Sequence, residues 1–261
     1  MTTVLTKPEP DVDAPRTRQQ QDGISFSQLL RVEWGKATDT RAARWLMLTV
    51  ALTTTGLMLA PLLAKNSIDQ TQTSYLSYAA FGLTILLPVV SILTLTSEWS
   101  LRTVLVTFTQ EPRRVRVIKA KVCVSLILAG LGAVFAGLVT AGAVLLAELS
   151  GRHISSDMTT ASLIGFVLFV LLNVLMGVAF GALLHNTAAA IVLFFALPTA
   201  FTVASTALKS IGQWIDPSQT FGWVLQADWS GHLPQILAST TIWLILPLAA
   251  GLIRTVHREI K

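Results

Sequence analysis

Charge, cysteine and metal-ligating clusters are what this sequence has least of. Only 13% of its 261 residues are Asp, Glu, Lys or Arg, roughly half the share usual in a soluble domain. Such scarcity excludes disorder for most of the chain, since segments stay unfolded when charge is high and hydrophobicity low. The one cysteine, Cys123, cannot close an internal disulfide. The four histidines, His153, His185, His232 and His257, are scattered singly, and no Cys/His group has the spacing of metal ligands. A phosphate-binding G-x-x-x-x-G-K-[ST] loop is missing as well. Its nearest fragment, Gly35-Lys36-Ala37, has Leu30 at the first glycine position and Ala37 at the hydroxyl position. The N-terminal region has no charged start followed by an apolar run, so no cleavable signal peptide is expected. Although the net charge is +5, the composition disfavours a soluble nucleic-acid binder, and no nucleic-acid partner is expected.

Against these absences stand 52% hydrophobic residues and a mean hydropathy of +0.64. This is the composition of a membrane protein. About 20 apolar residues cross a bilayer as a helix, and six stretches qualify: 45–64, 76–96, 122–149, 161–184, 188–208 and 236–253. The expected fold is all-α and polytopic, with six transmembrane helices. Pro61, Pro88, Pro198 and Pro247 fall inside spans one, two, five and six, where proline kinks helices. Residues 1–24 read as a disordered N-terminal segment, 209–235 as an external hairpin and 254–261 as a polar tail.

Basic residues near span ends are retained in the cytoplasm. Sixteen of the 19 lie in the N-terminal region, the connection between spans two and three, and the tail, whereas Lys65, Arg152 and Lys209 lie on the other side. A missed or invented span would swap sides downstream and spoil this asymmetry. Both termini are therefore expected in the cytoplasm.

Two stretches outside the spans carry helical patterns. In residues 25–44, Ser25 and Gln28 fit a capping box. Phe26, Leu29, Leu30 and Trp34 share one stripe, which predicts an amphipathic helix in the membrane interface. A helix packed on protein is the alternative. The second stretch, 97–110, places Leu101, Val104, Leu105 and Phe108 on one face. Glu98 precedes Arg102 by four residues, which supports a helix by about 0.2–0.5 kcal/mol. After Gln110-Glu111-Pro112, the residues Arg113, Arg114, Arg116, Lys119 and Lys121 open span three as a membrane-surface basic group reaching lipid phosphates. That role gives no reason for the amphipathic helix before them.

Together these elements resemble the permease subunits of ATP-binding cassette exporters of the type-two class. The resemblance rests on the six spans, the helix before the first, and the segment 97–119. There stand Glu98-Trp99-Ser100-Leu101-Arg102-Thr103, Pro112-Arg113-Arg114-Val115-Arg116 and Lys119-Ala120-Lys121. It covers nearly the whole chain after residue 25. The resemblance implies a cytoplasmic coupling helix that docks on a separate ATPase subunit through Glu98, Leu101, Arg102, Leu105 and Phe108. ATP and Mg would bind that partner, leaving this chain without cofactor or catalytic residue. It also implies a second permease copy or homologue, a bacterial plasma membrane, and a partly re-entrant hairpin between spans five and six.

Residues 209–235 interleave Trp214, Phe221, Trp223 and Trp229 with Asp216 and Asp228. Short helices dipping into the outer interface are expected, as an exit cap or as a structural belt. Gly177 and Gly181 on span four, and Ala133, Gly137 and Ala141 on span three, permit close helix contacts within the chain or with a second copy. Polar residues inside the spans are few. Asn173 near the middle of span four is the candidate pathway residue, and Glu148 lies at the outer end of span three. With no carboxylate or histidine at mid-depth, ion coupling is disfavoured, and so is an intramembrane enzyme. An apolar path suits a hydrophobic or amphipathic cargo such as a drug, a lipid-like molecule or a peptide. A non-transporting membrane scaffold or assembly subunit is the alternative.

Overall fold

Threonine, proline and glycine decide where the long helices start, bend and touch. The computed structural model describes residues 24–64, 66–101, 103–111, 113–208 and 212–257. Apart from Ile24, the segment expected to be disordered therefore lies outside the described residues, as does Arg102. Among the described residues every regular element is helical. In chain order they are α1 (Phe26–Thr38), α2 (Arg41–Leu57), α3 (Leu59–Leu63), α4 (Gln72–Ser100), α5 (Val104–Gln110), α6 (Arg114–Leu149), α7 (Thr160–Leu184) and α8 (Thr187–Leu208). There follow α9 (Gly212–Ile215), α10 (Pro217–Leu225), α11 (Leu233–Thr240), a π-helical turn at Thr241–Ile245, and α12 (Leu246–His257).

Six segments are long and apolar enough to cross a membrane: Arg41–Leu63, Gln72–Ser100, Arg114–Leu149, Thr160–Leu184, Thr187–Ser205 and Leu233–His257. Most extend beyond the apolar stretches of the sequence because polar residues cap and prolong them. Thr40, Thr71 and Thr159 each accept a hydrogen bond from the backbone N–H three residues on, satisfying a donor that has no partner within the helix.

The prolines act differently by position. Pro61 has no N–H for the Leu57 carbonyl, and the first span breaks at Met58 between α2 and α3. Pro88 and Pro198 sit inside continuous helices. Pro247 follows the π turn, whose wider spacing accommodates the missing donor.

Helices α4 and α7 form the buried centre, while α2, α6, α8 and α12 surround them with apolar outer faces. The glycine pair of span four explains how close the centre packs. A Cβ on Gly177 would stand 2.7 Å from the Pro88 carbonyl oxygen, and one on Gly181 would stand 3.0 Å from the Leu95 Cβ. That motif is thus occupied within the chain. On α6, by contrast, Ala133 is buried, while a Cβ on Gly137 would meet nothing within 4 Å.

At the end away from the basic residues, two loops are joined. Gln72 donates to the Ser155 carbonyl at 3.1 Å and Ser155 to the Gln70 carbonyl at 3.0 Å. Asp157 accepts from both the backbone and the hydroxyl of Thr73. Arg152 donates to the Leu62 carbonyl at 2.6 Å, tying the end of the first span to the same corner.

Candidate functional site

Three helix ends converge at the basic end of the bundle, and the residues that hold them form the first candidate site. Ser25 and Gln28 close the capping box expected at the start of α1. The helix then buries Leu29, Glu33 and Ala37, which recur every four residues and therefore share one side. Its outer side carries Val32, and Phe26 is exposed at its first turn.

Glu33 is the residue that sequence reasoning passed over. Its side chain is 1% exposed and bonds Lys121 of α6 at 2.6 Å through one oxygen and Lys36 at 2.7 Å through the other. Lys36 in turn bonds Glu98 at 2.6 Å, and Lys121 lies 3.4 Å from Glu98. Two carboxylates and two ammonium groups thus alternate in a closed, neutral ring between α1, α4 and α6. Lys121 gains a further acceptor in the Thr94 carbonyl at 3.1 Å, and Glu98 a further donor in the Thr107 hydroxyl at 3.0 Å. Burial pushes the Lys36 ammonium down, but its bonds to Glu33 and Glu98 outweigh this and hold it above the ordinary lysine value. The signal in the sequence was the spacing Leu29, Glu33, Ala37, which sets Glu33 on the apolar side of its helix.

The segment after span two departs from the single helix expected over 97–110. Glu98 belongs to the last turn of α4, the backbone turns after Ser100, and α5 starts only at Val104. The backbone N–H of Thr103 donates to the Glu98 carbonyl at 2.9 Å across that turn, while the side chain of Glu98 is drawn inward by the lysines. The expected shared face is divided accordingly. Val104 is buried and Phe108 packs edge to face on Trp99 at 6.3 Å, whereas Leu101 is 72% exposed and Leu105 and Val106 are exposed with it.

The basic group at the start of span three is also divided. Arg113 and Lys119 are exposed. Arg116 pairs with the buried Glu111 at 2.8 Å. Arg114 donates to the Thr255 carbonyl at 2.9 Å and lies over the Phe108 ring at 5.1 Å, which meets the unpaired carbonyls at the end of α12 with positive charge. Lys121 is turned inward, and the ring of ion pairs buries it to 5% exposure.

His185 completes this end. It closes α7 in the left-handed conformation at φ 52°, stacks on Trp99 at 4.2 Å and bonds the Thr255 hydroxyl at 2.8 Å. One residue thereby fixes the ends of α4, α7 and α12.

Asn173, the candidate pathway residue, lies elsewhere. It lines a 270 Å³ cavity between α4, α7, α8 and α10 that also takes in Thr84, Phe169, Thr199 and Phe221. The floor on the hairpin side is rigid. Asp216 caps α10 and, although buried, accepts from Ser218, Thr202 and Ser205 at 2.9, 3.0 and 3.2 Å. The Trp243 indole donates to the Ile215 carbonyl at 2.5 Å.

Compared with protein-family models and with curated proteins, the chain matches none. Among the described residues no group of three or more His, Cys, Asp or Glu could hold a metal.

Proposed function

We propose that this chain is the permease of an ATP-binding cassette exporter, moving a hydrophobic or amphipathic cargo with ATP hydrolysed on a separate subunit. The observation that carries this reading is α5. Its inner side, Val104 and Phe108, is fixed to the bundle, while Leu101, Leu105 and Val106 face outward at the basic end. Contiguous exposed apolar residues in a polar surrounding mark a protein contact.

The ring behind α5 supplies the means of transmission. Thr107 on α5 bonds Glu98 on α4, and Glu98 is paired with Lys121 on α6 and Lys36 on α1. A displacement of α5 is therefore resisted by spans two and three together. In this reading Glu98 holds α5 in place, Leu101 and Leu105 form the contact with Phe108 bracing the helix from behind, and Arg102 joins it by sequence alone. Arg113 and Lys119 meet lipid phosphates, and α1 lies at the interface through Phe26 and Val32. The basic end and both termini are cytoplasmic, a second permease copy completes the transport unit in a bacterial plasma membrane, and the partner holds ATP and Mg. The cavity at Asn173 favours transport over a scaffold role, which needs no such opening.

The test is purification in mild detergent followed by mass spectrometry of what accompanies the chain. A near-stoichiometric subunit carrying a phosphate-loop motif is expected with the wild type. The double variant Leu101→Asp, Leu105→Asp should lose it while unfolding within about 0.5 kcal/mol of the wild type, because both positions are exposed. If no ATPase accompanies the wild type under conditions that keep other membrane complexes intact, the reading fails.

A further inference from the structure

The cavity beside Asn173 has a lining with its own chemical preference. At 270 Å³ it holds the volume of about nine liquid waters, close to the lower end for small-molecule sites. Five phenyl rings line it: Phe81, Phe169, Phe194, Phe195 and Phe221. Phe81 meets Phe169 edge to face at 6.1 Å, and Phe194 meets Phe195 in the same way at 5.0 Å, so the walls are mutually packed. Phe169, Phe194 and Phe221 are buried, while the exposed Phe81 and Phe195 place its mouth on the side of the bundle.

No Lys, Arg, His, Asp or Glu is among the residues that line the cavity. Three of its four polar side chains commit a proton to their own helices, and the fourth, the Ser218 hydroxyl, accepts from Thr202 at 3.1 Å. Asn173 donates to the Phe169 carbonyl at 2.9 Å, Thr84 to the Ala80 carbonyl at 3.1 Å and Thr199 to the Phe195 carbonyl at 2.8 Å. What they have left to offer a ligand is mostly oxygen lone pairs.

These features rank the ligands. An anion would meet lone pairs and the negative faces of phenyl rings with no positive charge to offset them. A full cation would gain less from the ring faces than its lost hydration costs where no lining residue is a carboxylate. A saturated chain would fill the space but leave the acceptors unmatched. We propose that the cavity binds an uncharged aromatic molecule of about ten non-hydrogen atoms carrying one N–H or O–H donor, which the Asn173 carbonyl accepts. That such a molecule is cargo rests on the export reading; that it binds does not.

The test uses the full chain in nanodiscs, with empty nanodiscs subtracted, titrated by equilibrium dialysis with indole, N-methylindole, benzenesulfonate and phenethylammonium. Indole should bind saturably, about three- to tenfold more tightly than N-methylindole, the worth of one hydrogen bond. Neither ion should saturate. Asn173→Leu should erase the preference for indole while N-methylindole still binds. Gly222→Leu should abolish binding of both, since Gly222 lines the cavity and an added Cβ meets nothing within 4 Å, so the variant fills space without a clash at its root. The assignment is overturned by equal binding of the two indoles, by a preference that survives Asn173→Leu, by tighter binding of either ion, or by no saturable binding. Because the titration needs no ATPase, lost binding with an ATPase still co-purifying removes the site alone. Binding without any ATPase partner removes the export reading and leaves the site.

Discussion

Replacing Lys121 by methionine tests whether charge or apolar contact docks α1. The side chain is 5% exposed, 2.6 Å from Glu33 and 3.4 Å from Glu98. Without it the two carboxylates share only Lys36, whose side chain is 42% exposed. Breaking a buried pair by removing one partner costs about 3–5 kcal/mol, because the other charge is left uncompensated. The molecule escapes that cost most easily by releasing α1, whose other fully buried residues are only Leu29 and Ala37. The effect should therefore be local. Hydrogen–deuterium exchange in nanodiscs should show the amides of residues 29–37 opening roughly a hundredfold to several thousandfold more often, since each 1.4 kcal/mol is tenfold. Amides in the middle of α4 and α7 should change far less. The double variant Glu33→Met, Lys121→Met leaves Glu98 and Lys36 as a balanced pair. Apolar replacement of a whole buried pair is often neutral, so protection should return to within about tenfold of the wild type. Should Lys121→Met alone keep α1 within about threefold of wild-type protection, the ring does not dock the helix and the reasoning is refuted.

Other consequences are simpler to check. A Cβ on Gly165 would stand 2.3 Å from the Val224 carbonyl oxygen, so Gly165→Ala should cost about 1–3 kcal/mol by overpacking, read by thermal unfolding. The matched control Gly137→Ala, with open space around its Cβ, should instead be neutral or stabilise by up to about 1 kcal/mol. Burial alone would raise the Asp157 carboxyl, but hydrogen bonds from Thr73 outweigh it and hold it below the usual aspartate value. With the folded value below the unfolded one, its contribution is present above about pH 4 and fades as pH falls through the folded value. Exchange protection of Gln72 and Ser155 should follow that profile, and Asp157→Asn should remove the pH dependence; an unchanged profile in the variant would assign it to another group.

The spans were legible because runs of apolar residues leave a bilayer-length helix no alternative, and the capping box at Ser25 was legible because it is local. The ring of ion pairs was not. Glu98 and Arg102 look like partners when only neighbours within one helix are in view. Among the described residues Glu98 pairs with Lys36, 62 residues away, and no spacing rule reaches that far. Lys121 was misplaced for a related reason: five basic residues in nine positions read as one surface, yet a helix turns them to different sides, and only Lys121 meets two carboxylates. Asn173 stood out by polarity at mid-span, but apart from Phe169 on its own helix its aromatic neighbours come from three other helices and had no signature in the order of residues.

The π turn at Thr241–Ile245 gives the last span a property that a straight helix lacks. It stores one residue more than an α-helix of the same length would use. On one side of it, Ser239 accepts from the Thr220 hydroxyl at 2.8 Å, and within the turn itself Trp243 is held to the Ile215 carbonyl and packed against Phe180 and Phe201. On the other, Gly251 lies so close to α7 that a Cβ would stand 2.5 Å from the Ala182 carbonyl carbon, and Thr255 is bonded to His185. Both ends and the turn between them are thus pinned to their neighbours. The surplus residue takes up the difference in register between the hairpin and the basic end, so that one continuous span can meet both sets of contacts.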